Sequence, residues 1–194
     1  MERISTDNNQ VLLDGAPINN RKKEPLELDA QTFRCIGVGF FADTNGVYGL
    51  SYIRRSASDR IYLTKIRGHV DLESFESVSL YYAKDKERHY YARGGKTIRE
   101  TQCELFFDRD DTWKNVSMEQ KKFRAWISEF LLGQEHVYYK GRVLKGANPK
   151  TFTRIAQFYY ADDRLFFERS NGQRINPIES VTINGVVQCL PNRG

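Results

Sequence analysis

The sequence predicts an α+β fold that is predominantly β, built from repeated aromatic β-hairpin units that each follow a short helical turn. Three observations support this class. The 194-residue chain contains 12 phenylalanines and 11 tyrosines, which favour pleated, half-buried strands. One pattern of residues recurs in three segments of the chain. A fourth segment, residues 117–132, instead has the apolar spacing of an amphipathic helix.

The repeat aligns residues 29–48, 71–90 and 148–167 without gaps. Residues of distinct chemistry match at corresponding positions. The matches are Asp29/Asp71/Asn148, Thr32/Ser74/Thr151, Phe33/Phe75/Phe152, Ile36/Val78/Ile155, Asp43/Asp85/Asp162 and Tyr48/Tyr90/Phe167. Coincidence at so many positions is implausible, so we interpret the segments as copies of one structural unit, near 29–48, 71–98 and 148–175.

The order of residue types within a unit predicts its structure. The opening Asp or Asn is expected to cap a short helical turn, and Pro149 stands where the first turn of a helix tolerates proline. An aromatic strand, an Asp-led charged turn and a second aromatic strand follow. Glycine turns come next, for example at Gly95 and Gly141. Because one hairpin cannot bury its apolar face alone, we expect a single repeat-built domain over residues 1–194.

Residues 100–135 interrupt the repeat, and we interpret them as an irregular helical insert. Ser117 and Gln120 form a capping-box pattern, and Gly133 stands where a helix commonly ends. Between them the apolar residues recur at helical spacing: Phe123, Trp126, Ile127, Phe130 and Leu131. This stripe predicts one amphipathic helix over residues 117–132, docked on the aromatic strands.

The charge and the cysteines narrow the classes of function. The net charge is +5, and the basic residues are scattered along the chain, which argues against nucleic-acid binding. Cys35, Cys103 and Cys189 are far apart and odd in number, so they predict neither a zinc site nor a redox motif. The first residues lack the apolar core of a signal peptide, and no apolar run could span a membrane. We therefore expect a soluble cytoplasmic protein.

The sequence contains no recognisable constellation of catalytic residues. His69, His89 and His136 are isolated, without the spacing of metal ligands, and His89 is expected to be a solvated surface residue. The recurring aspartates follow the repeat, which marks them as turn formers. Neither a phosphate-binding loop nor a nucleophile elbow occurs. We therefore predict a protein that is not an enzyme, with no catalytic residue, metal or cofactor.

Residues 137–163, VYYKGRVLKGANPKTFTRIAQFYYADD, resemble the bacterial DKNYY family. The family is named for a repeated Asp-Lys-Asn-Tyr-Tyr, and residues 71–98 also resemble it, with KDKERHYY in place of that motif. Before Phe33 the resemblance is faint, and the helical insert departs from it. The resemblance implies a β-rich repeat protein of uncharacterised function and supplies no catalytic residues. Some members are associated with the cell envelope.

With catalysis unsupported, we predict a protein-binding module. Small, cofactor-free bacterial repeat proteins often act as immunity proteins, which neutralise a cognate toxin by occluding its site. In such proteins the irregular insert meets the partner. We therefore predict partner contacts from Asp108, Asp110, Asp111 and Trp113, an acidic cluster beside a tryptophan that suits a basic toxin surface. A helix cap beside a buried tryptophan is the alternative for the same residues.

Two other classes of function stay open. The first is a structural or envelope-associated repeat protein without a dedicated toxin partner. The second is nucleic-acid binding through tyrosine-rich strands and loop arginines, which the scattered basic residues disfavour. Salt-dependent binding to oligonucleotides would support that second alternative.

Overall fold

A computed structural model describes residues 4–13, 15–53, 60–106, 117, 119, 128–170, 174–183 and 185–189. The chain forms two compact units, Met1–Thr101 and Gln102–Gly194, which we call the N-terminal and C-terminal units. The prediction of one repeat-built domain stays a prediction. Over the described ranges, no helix has the length and apolarity needed to cross a membrane.

The N-terminal unit contains three antiparallel sheets. Sheet 1 consists of β1 (Ile4–Asp7), β2 (Gln10–Leu13) and β3 (Ala16–Pro17). Sheet 2 consists of β4 (Arg34–Gly37), β5 (Phe40–Asp43), β6 (Gly46–Ile53) and β7 (Arg60–Lys65). Sheet 3 consists of β8 (Glu76–Ser77), β9 (Tyr82–Lys84), β10 (His89–Tyr91) and β11 (Lys96–Ile98).

The C-terminal unit also contains three antiparallel sheets. Sheet 4 consists of β12 (Glu104–Leu105), β13 (Phe130–Leu132), β14 (Val137–Tyr139) and β15 (Arg142–Val143). Sheet 5 consists of β16 (Thr153–Ala156), β17 (Tyr159–Ala161), β18 (Phe166–Ser170) and β19 (Arg174–Ile178). Sheet 6 consists of β20 (Ser180–Ile183) and β21 (Val186–Cys189).

Successive sheets share apolar cores within each unit. The shared cores include Val11 with Phe41 for sheets 1 and 2, Phe40 with Tyr90 for sheets 2 and 3, Phe130 with Tyr160 for sheets 4 and 5, and Phe166 with Val181 for sheets 5 and 6. Tyr82, Tyr90 and Tyr91 are almost completely buried. Neighbouring sheets thus cover the faces that a lone hairpin would expose. The prediction that paired tyrosines fill the core is confirmed.

The predicted α+β class is wrong, because the described residues form strands and turns and no helical element. At two predicted helical turns, the N–H groups of Phe33 and Phe152 donate to the carbonyls of Asp29 and Asn148. Each chain segment then enters a strand, β4 or β16, so a second turn cannot form. At the third, residues 71–75, the backbone only bends. Asp and Asn suit both helix caps and hydrogen-bonded turns, so the sequence pattern did not distinguish them.

The predicted helix over residues 117–132 is wrong at its C-terminal end, where the chain forms β13. Residues 118 and 120–127 lie outside the described residues. Phe130 pairs with Tyr139 across the sheet, and both Phe130 and Leu131 are buried. Adjacent residues of a strand point to opposite faces, and both faces are covered here. Gly133 closes the β13–β14 turn by donating to His136 at 2.8 Å, so it does not end a helix.

The segment predicted as an irregular insert, residues 100–135, therefore contains two strands of a further repeat unit. Sheet 4 has the same strand order as sheets 3 and 5. The interruption is the long connection between β12 and β13. Its two ends lie side by side, because Leu105 pairs with Leu131.

A polar bracket explains why the repeat keeps its aspartates. In sheet 3, Asp85 Oδ1 accepts hydrogen bonds from the N–H groups of Glu87 and Arg88, each at 2.8 Å, within its own turn. Its Oδ2 accepts a hydrogen bond from the Asp71 N–H at 3.0 Å and another from the Tyr90 hydroxyl. The carboxylate thereby joins the hairpin turn to the loop that opens the unit.

The other sheets keep or lose parts of this bracket. Asp43 accepts from the Asp29 N–H at 2.9 Å, and Asp162 accepts from the Asn148 N–H at 2.6 Å. In sheet 5 a phenylalanine replaces the hydroxyl donor that Tyr90 supplies in sheet 3. In sheet 4 Gly133 occupies the aspartate position, so the bracket cannot form there.

Candidate functional site

The four residues predicted to bind a partner, Asp108, Asp110, Asp111 and Trp113, lie outside the described residues. Their role stays a prediction. They belong to the connection between β12 and β13, whose ends the paired strands hold together. Long connections held by a rigid scaffold commonly carry binding residues.

The carboxylates of the recurring aspartates accept hydrogen bonds from the backbone of their own repeat units. Asp85 is buried and accepts four hydrogen bonds from the bracket. Burial raises the pKa of Asp85, but hydrogen bonds from Tyr90 and from three backbone N–H groups outweigh it and hold the pKa below its ordinary value. Burial and the neighbouring Asp85 carboxylate raise the pKa of Tyr90. The prediction that these aspartates are turn formers is confirmed.

His89 is buried, so the expectation of a solvated surface histidine is wrong. Its Nδ1 lies 3.0 Å from the carbonyl oxygen of Glu100. The corresponding position in sheet 2 is Val47, since the ungapped alignment matches the two residues and each pairs with the residue before the hairpin aspartate, Ala42 or Lys84. The charged residues around His89 in sequence concealed that it stands at a core position.

An ionic cluster in the C-terminal unit was not predicted from the sequence. Glu129 Oε2 lies 2.8 Å from the Arg169 guanidinium and 3.6 Å from Lys140 Nζ. The Glu129 side chain is 12% exposed, whereas those of Lys140 and Arg169 are 27% and 26% exposed. One nearly buried carboxylate therefore holds two cations, each of which keeps about a quarter of its surface in solvent.

The aromatic ring of Tyr139 lies close to both cations of this cluster. Lys140 Nζ lies 5.1 Å and the Arg169 guanidinium carbon 5.6 Å from the centre of its ring, within the range of cation–π attraction. Burial raises the pKa of Tyr139 well above its ordinary value, so its hydroxyl is neutral at neutral pH. Burial lowers the pKa of Arg169, but Tyr139, Glu129 and Tyr160 together raise it above its ordinary value, so the guanidinium stays charged.

Phe158 lies on the β16–β17 turn, next to Arg169, whose N–H donates to the Phe158 carbonyl at 2.7 Å. The same backbone contact recurs at one position in four sheets. It joins Gly39 to Leu50, Tyr81 to Ala92, Glu129 to Lys140 and Phe158 to Arg169, at 2.7–2.9 Å. At this position Gly39 is buried, Tyr81 packs against other side chains and Glu129 is ion-paired, whereas Phe158 is 48% exposed.

Two residues of this region have a left-handed backbone that glycine normally adopts. The φ angle is +51° at Lys140 and +68° at Phe158. For a residue with a β-carbon this conformation costs about 1–2 kcal/mol. Such conformations concentrate at functional sites. We therefore take Glu129, Tyr139, Lys140, Phe158 and Arg169 as the candidate site and call them the Phe158 cluster.

The sequence held one usable signal for this site. The ungapped alignment of residues 29–48 with 148–167 places Phe158 at the position of Gly39. The aligned position holds Gly39 in one copy and an aromatic residue, Tyr81 or Phe158, in the other two. An aromatic residue in a turn where another copy has glycine is a candidate for a side chain that the turn itself does not require. The ion pairs of Glu129 carried no such signal, because Lys140 lies across the β13–β14 hairpin and Arg169 lies on a strand of a different sheet. Among the described residues, no group of three or more His, Cys, Asp or Glu side chains could hold a metal ion.

Comparison with known proteins gives one result. The family model of the DKNYY family matches residues 27–171, which include sheets 2 to 4 and most of sheet 5. No curated protein and no solved structure matches the chain. Because the match covers more than half of the sequence, the chain belongs to the DKNYY family.

Proposed function

We propose that this chain is a non-enzymatic protein-binding module and that the Phe158 cluster is part of its binding surface. The observation that carries the proposal is Phe158 itself. Its side chain is half exposed, and it stands in a backbone conformation that the corresponding turn of sheet 2 fills with Gly39. Exposed aromatic side chains on a rigid turn are typical anchors of protein interfaces.

The finer proposal concerns the partner. We propose a cognate toxin, which the chain neutralises as an immunity protein in the bacterial cytoplasm. The support comes from the sequence: a small repeat scaffold without a recognisable catalytic motif, and an acidic segment with a tryptophan at Asp108, Asp110, Asp111 and Trp113. A structural or envelope-associated repeat protein is the alternative.

Site-specific photo-crosslinking in cells of the native host tests the binding proposal. We would replace Phe158 by the photoreactive p-benzoylphenylalanine, irradiate the cells and identify crosslinked proteins by mass spectrometry. The matched control carries the same amino acid at Val38, which is 39% exposed on the corresponding turn of sheet 2. We expect one protein to be captured at position 158 and not at position 38. Equal capture at both positions, or crosslinks to nucleic acid, would contradict the proposal.

The toxin proposal needs a second measurement. The captured protein is expressed alone and together with this chain, and growth of the host is recorded. We expect expression alone to arrest growth and co-expression to restore it. Restoration that is lost in a double variant, Asp110→Ala with Trp113→Ala, would place the predicted acidic segment in the interface. A harmless captured protein would exclude a toxin and leave the structural alternative.

A further inference from the structure

The Phe158 cluster has more positive than negative charge among its described members. Lys140 and Arg169 share the single carboxylate of Glu129, and the Tyr139 hydroxyl is neutral. Arg154 on β16 adds a third cation before the Phe158 turn, and its Nε donates to the carbonyl of Ala156, the last residue of that strand, at 3.0 Å. Glu168, beside Arg169 on β18, is a second carboxylate of this region and accepts a hydrogen bond from Tyr159 at 3.4 Å. These three cations and two carboxylates together carry a net positive charge.

The two cations of the ion pair are placed to meet a further anion. Glu129 is nearly buried beneath them, while Lys140 and Arg169 each keep about a quarter of their side-chain surface exposed. Their carboxylate partner is therefore on the protein side, and an anion approaching from solvent meets the cations first. Tyr139 and Glu129 hold the two groups in place, which reduces the entropy lost when they bind.

We propose that the partner presents an acidic side chain next to an apolar one, with the carboxylate against Lys140 and Arg169 and the apolar group against Phe158. This inference deepens the proposed function and rests on it. Charge complementarity of this kind gives specificity and a faster association rate. The apolar contact supplies area removed from water, and the cations select which apolar surface is accepted.

The test uses a phage-displayed library of random dodecapeptides as the probe. Peptides are selected on the immobilised full chain and counter-selected on the Phe158→Ala variant. Selected peptides are synthesised, and their dissociation constants are measured by fluorescence anisotropy between about 0.1 M and about 1 M salt. Over that range the Debye length falls from about 10 Å to about 3 Å. We expect the selected peptides to contain Asp or Glu beside an apolar residue, and to bind more weakly at high salt.

The charge is removed by Lys140→Asn, because asparagine enters the left-handed region more readily than lysine and so preserves the turn. We expect this variant to weaken peptide binding about three- to tenfold, and Lys140→Arg to retain it. The matched control is Lys150→Asn, the same change at an exposed lysine of the same unit. It should change the dissociation constant by less than about twofold. Thermal unfolding of each variant verifies that it is folded.

The outcomes separate this inference from the proposed function. Peptides that depend on Phe158 but lack acidic residues, or that bind Lys140→Asn and Lys150→Asn alike, would overturn the acidic partner and leave the binding module standing. If no selected peptide depends on Phe158, both proposals fall at this site. Acidic peptides whose affinity depends on both Phe158 and Lys140 would establish the inference.

Discussion

The turns at Gly39 in sheet 2 and at Phe158 in sheet 5 have similar backbone conformations, but one carries a buried glycine and the other an exposed phenylalanine. Both follow a bulge in the preceding strand, and their φ angles are +74° and +68°. Gly39 is buried, and a β-carbon added there would lie 3.0 Å from the carbonyl oxygen of Leu80. Phe158 instead leaves half of its ring in solvent. From this comparison we expect the scaffold to need the backbone of the turn in sheets 2 and 5 but not the side chain of Phe158.

The largest loss of stability is expected when a phenylalanine is placed in the sheet 2 turn. We expect Gly39→Phe to lower the free energy of unfolding by about 3 kcal/mol, because the ring would overlap the backbone of Leu80 in a buried position. Urea unfolding followed by circular dichroism measures the change. Gly39→Ala, which adds only the β-carbon and the left-handed strain, should cost about 1–2 kcal/mol. If the two variants lose the same stability, the sheet 2 turn has room for a ring and the comparison fails.

The bracket should respond according to the donors that each sheet provides. We expect Asp85→Asn to cost about 2–3 kcal/mol, because in either orientation the amide NH2 would face a backbone N–H, that of Asp71 or those of Glu87 and Arg88. The Tyr90 hydroxyl would also lose its charged acceptor. Asp162→Asn should cost less, because Phe167 offers no hydroxyl to lose. Chemical denaturation of both variants measures the difference. Equal losses would show that the tyrosine hydroxyl contributes little and that sheets 3 and 5 have equivalent brackets.

Much of the repeat could be predicted from the sequence, because its matches carry the chemistry of the turns. The recurring aspartates and the buried tyrosines followed from the alignment. The predicted helix over residues 117–132 was wrong at Phe130 and Leu131, which lie in a strand. An adjacent pair of apolar residues fits either the apolar stripe of a helix or a strand that is buried on both faces. No local pattern distinguishes these two cases. Only the pairing of β13 with β14, a contact between separate segments, decides for the strand.

The candidate site could be predicted less well, for the same physical reason. Glu129 and Lys140 flank the β13–β14 hairpin and Arg169 lies on β18, and the sequence contains no motif that joins them. His89 shows the converse case, since its charged neighbours suggested the surface while strand alternation places it in the core. Phe158 was detectable, but only by comparing repeats position by position. Sequence patterns therefore identified the turns within each repeat unit and missed the side-chain contacts that join different hairpins.

A smaller change in stability is expected when Phe158 itself is replaced. We expect Phe158→Gly to be at least as stable as the wild type and about 1 kcal/mol more stable than Phe158→Ala, because glycine enters the left-handed region without strain. Thermal unfolding compares the three proteins. Both variants should lose, to the same extent, binding to the protein that is captured by the crosslinker at position 158. A marked loss of stability in Phe158→Gly would mean that the ring supports the scaffold after all.

The smallest effect we expect concerns His89 and its counterpart Val47, which occupy one position in sheets 3 and 2. Burial lowers the pKa of His89 below its ordinary value of 6.5, and Lys84 lowers it further, while the Glu100 carbonyl and the carboxylates of Asp85 and Glu100 raise it in part. At pH values between the lowered pKa of folded His89 and 6.5, the unfolded chain binds a proton that the folded chain does not. The stability is therefore retained above pH 6.5 and falls as the pH drops below it.

Replacing the histidine by the residue of the matching sheet removes this dependence. We expect His89→Val to flatten the loss of stability below pH 6.5, although the variant loses the 3.0 Å contact between His89 Nδ1 and the Glu100 carbonyl. Urea unfolding of the wild type and the variant across this pH range measures the slope. An unchanged slope would assign the acid sensitivity to other groups and would mean that His89 is accommodated in either charge state. A flattened slope would show that sheet 3 keeps a titratable group where sheet 2 keeps a hydrocarbon.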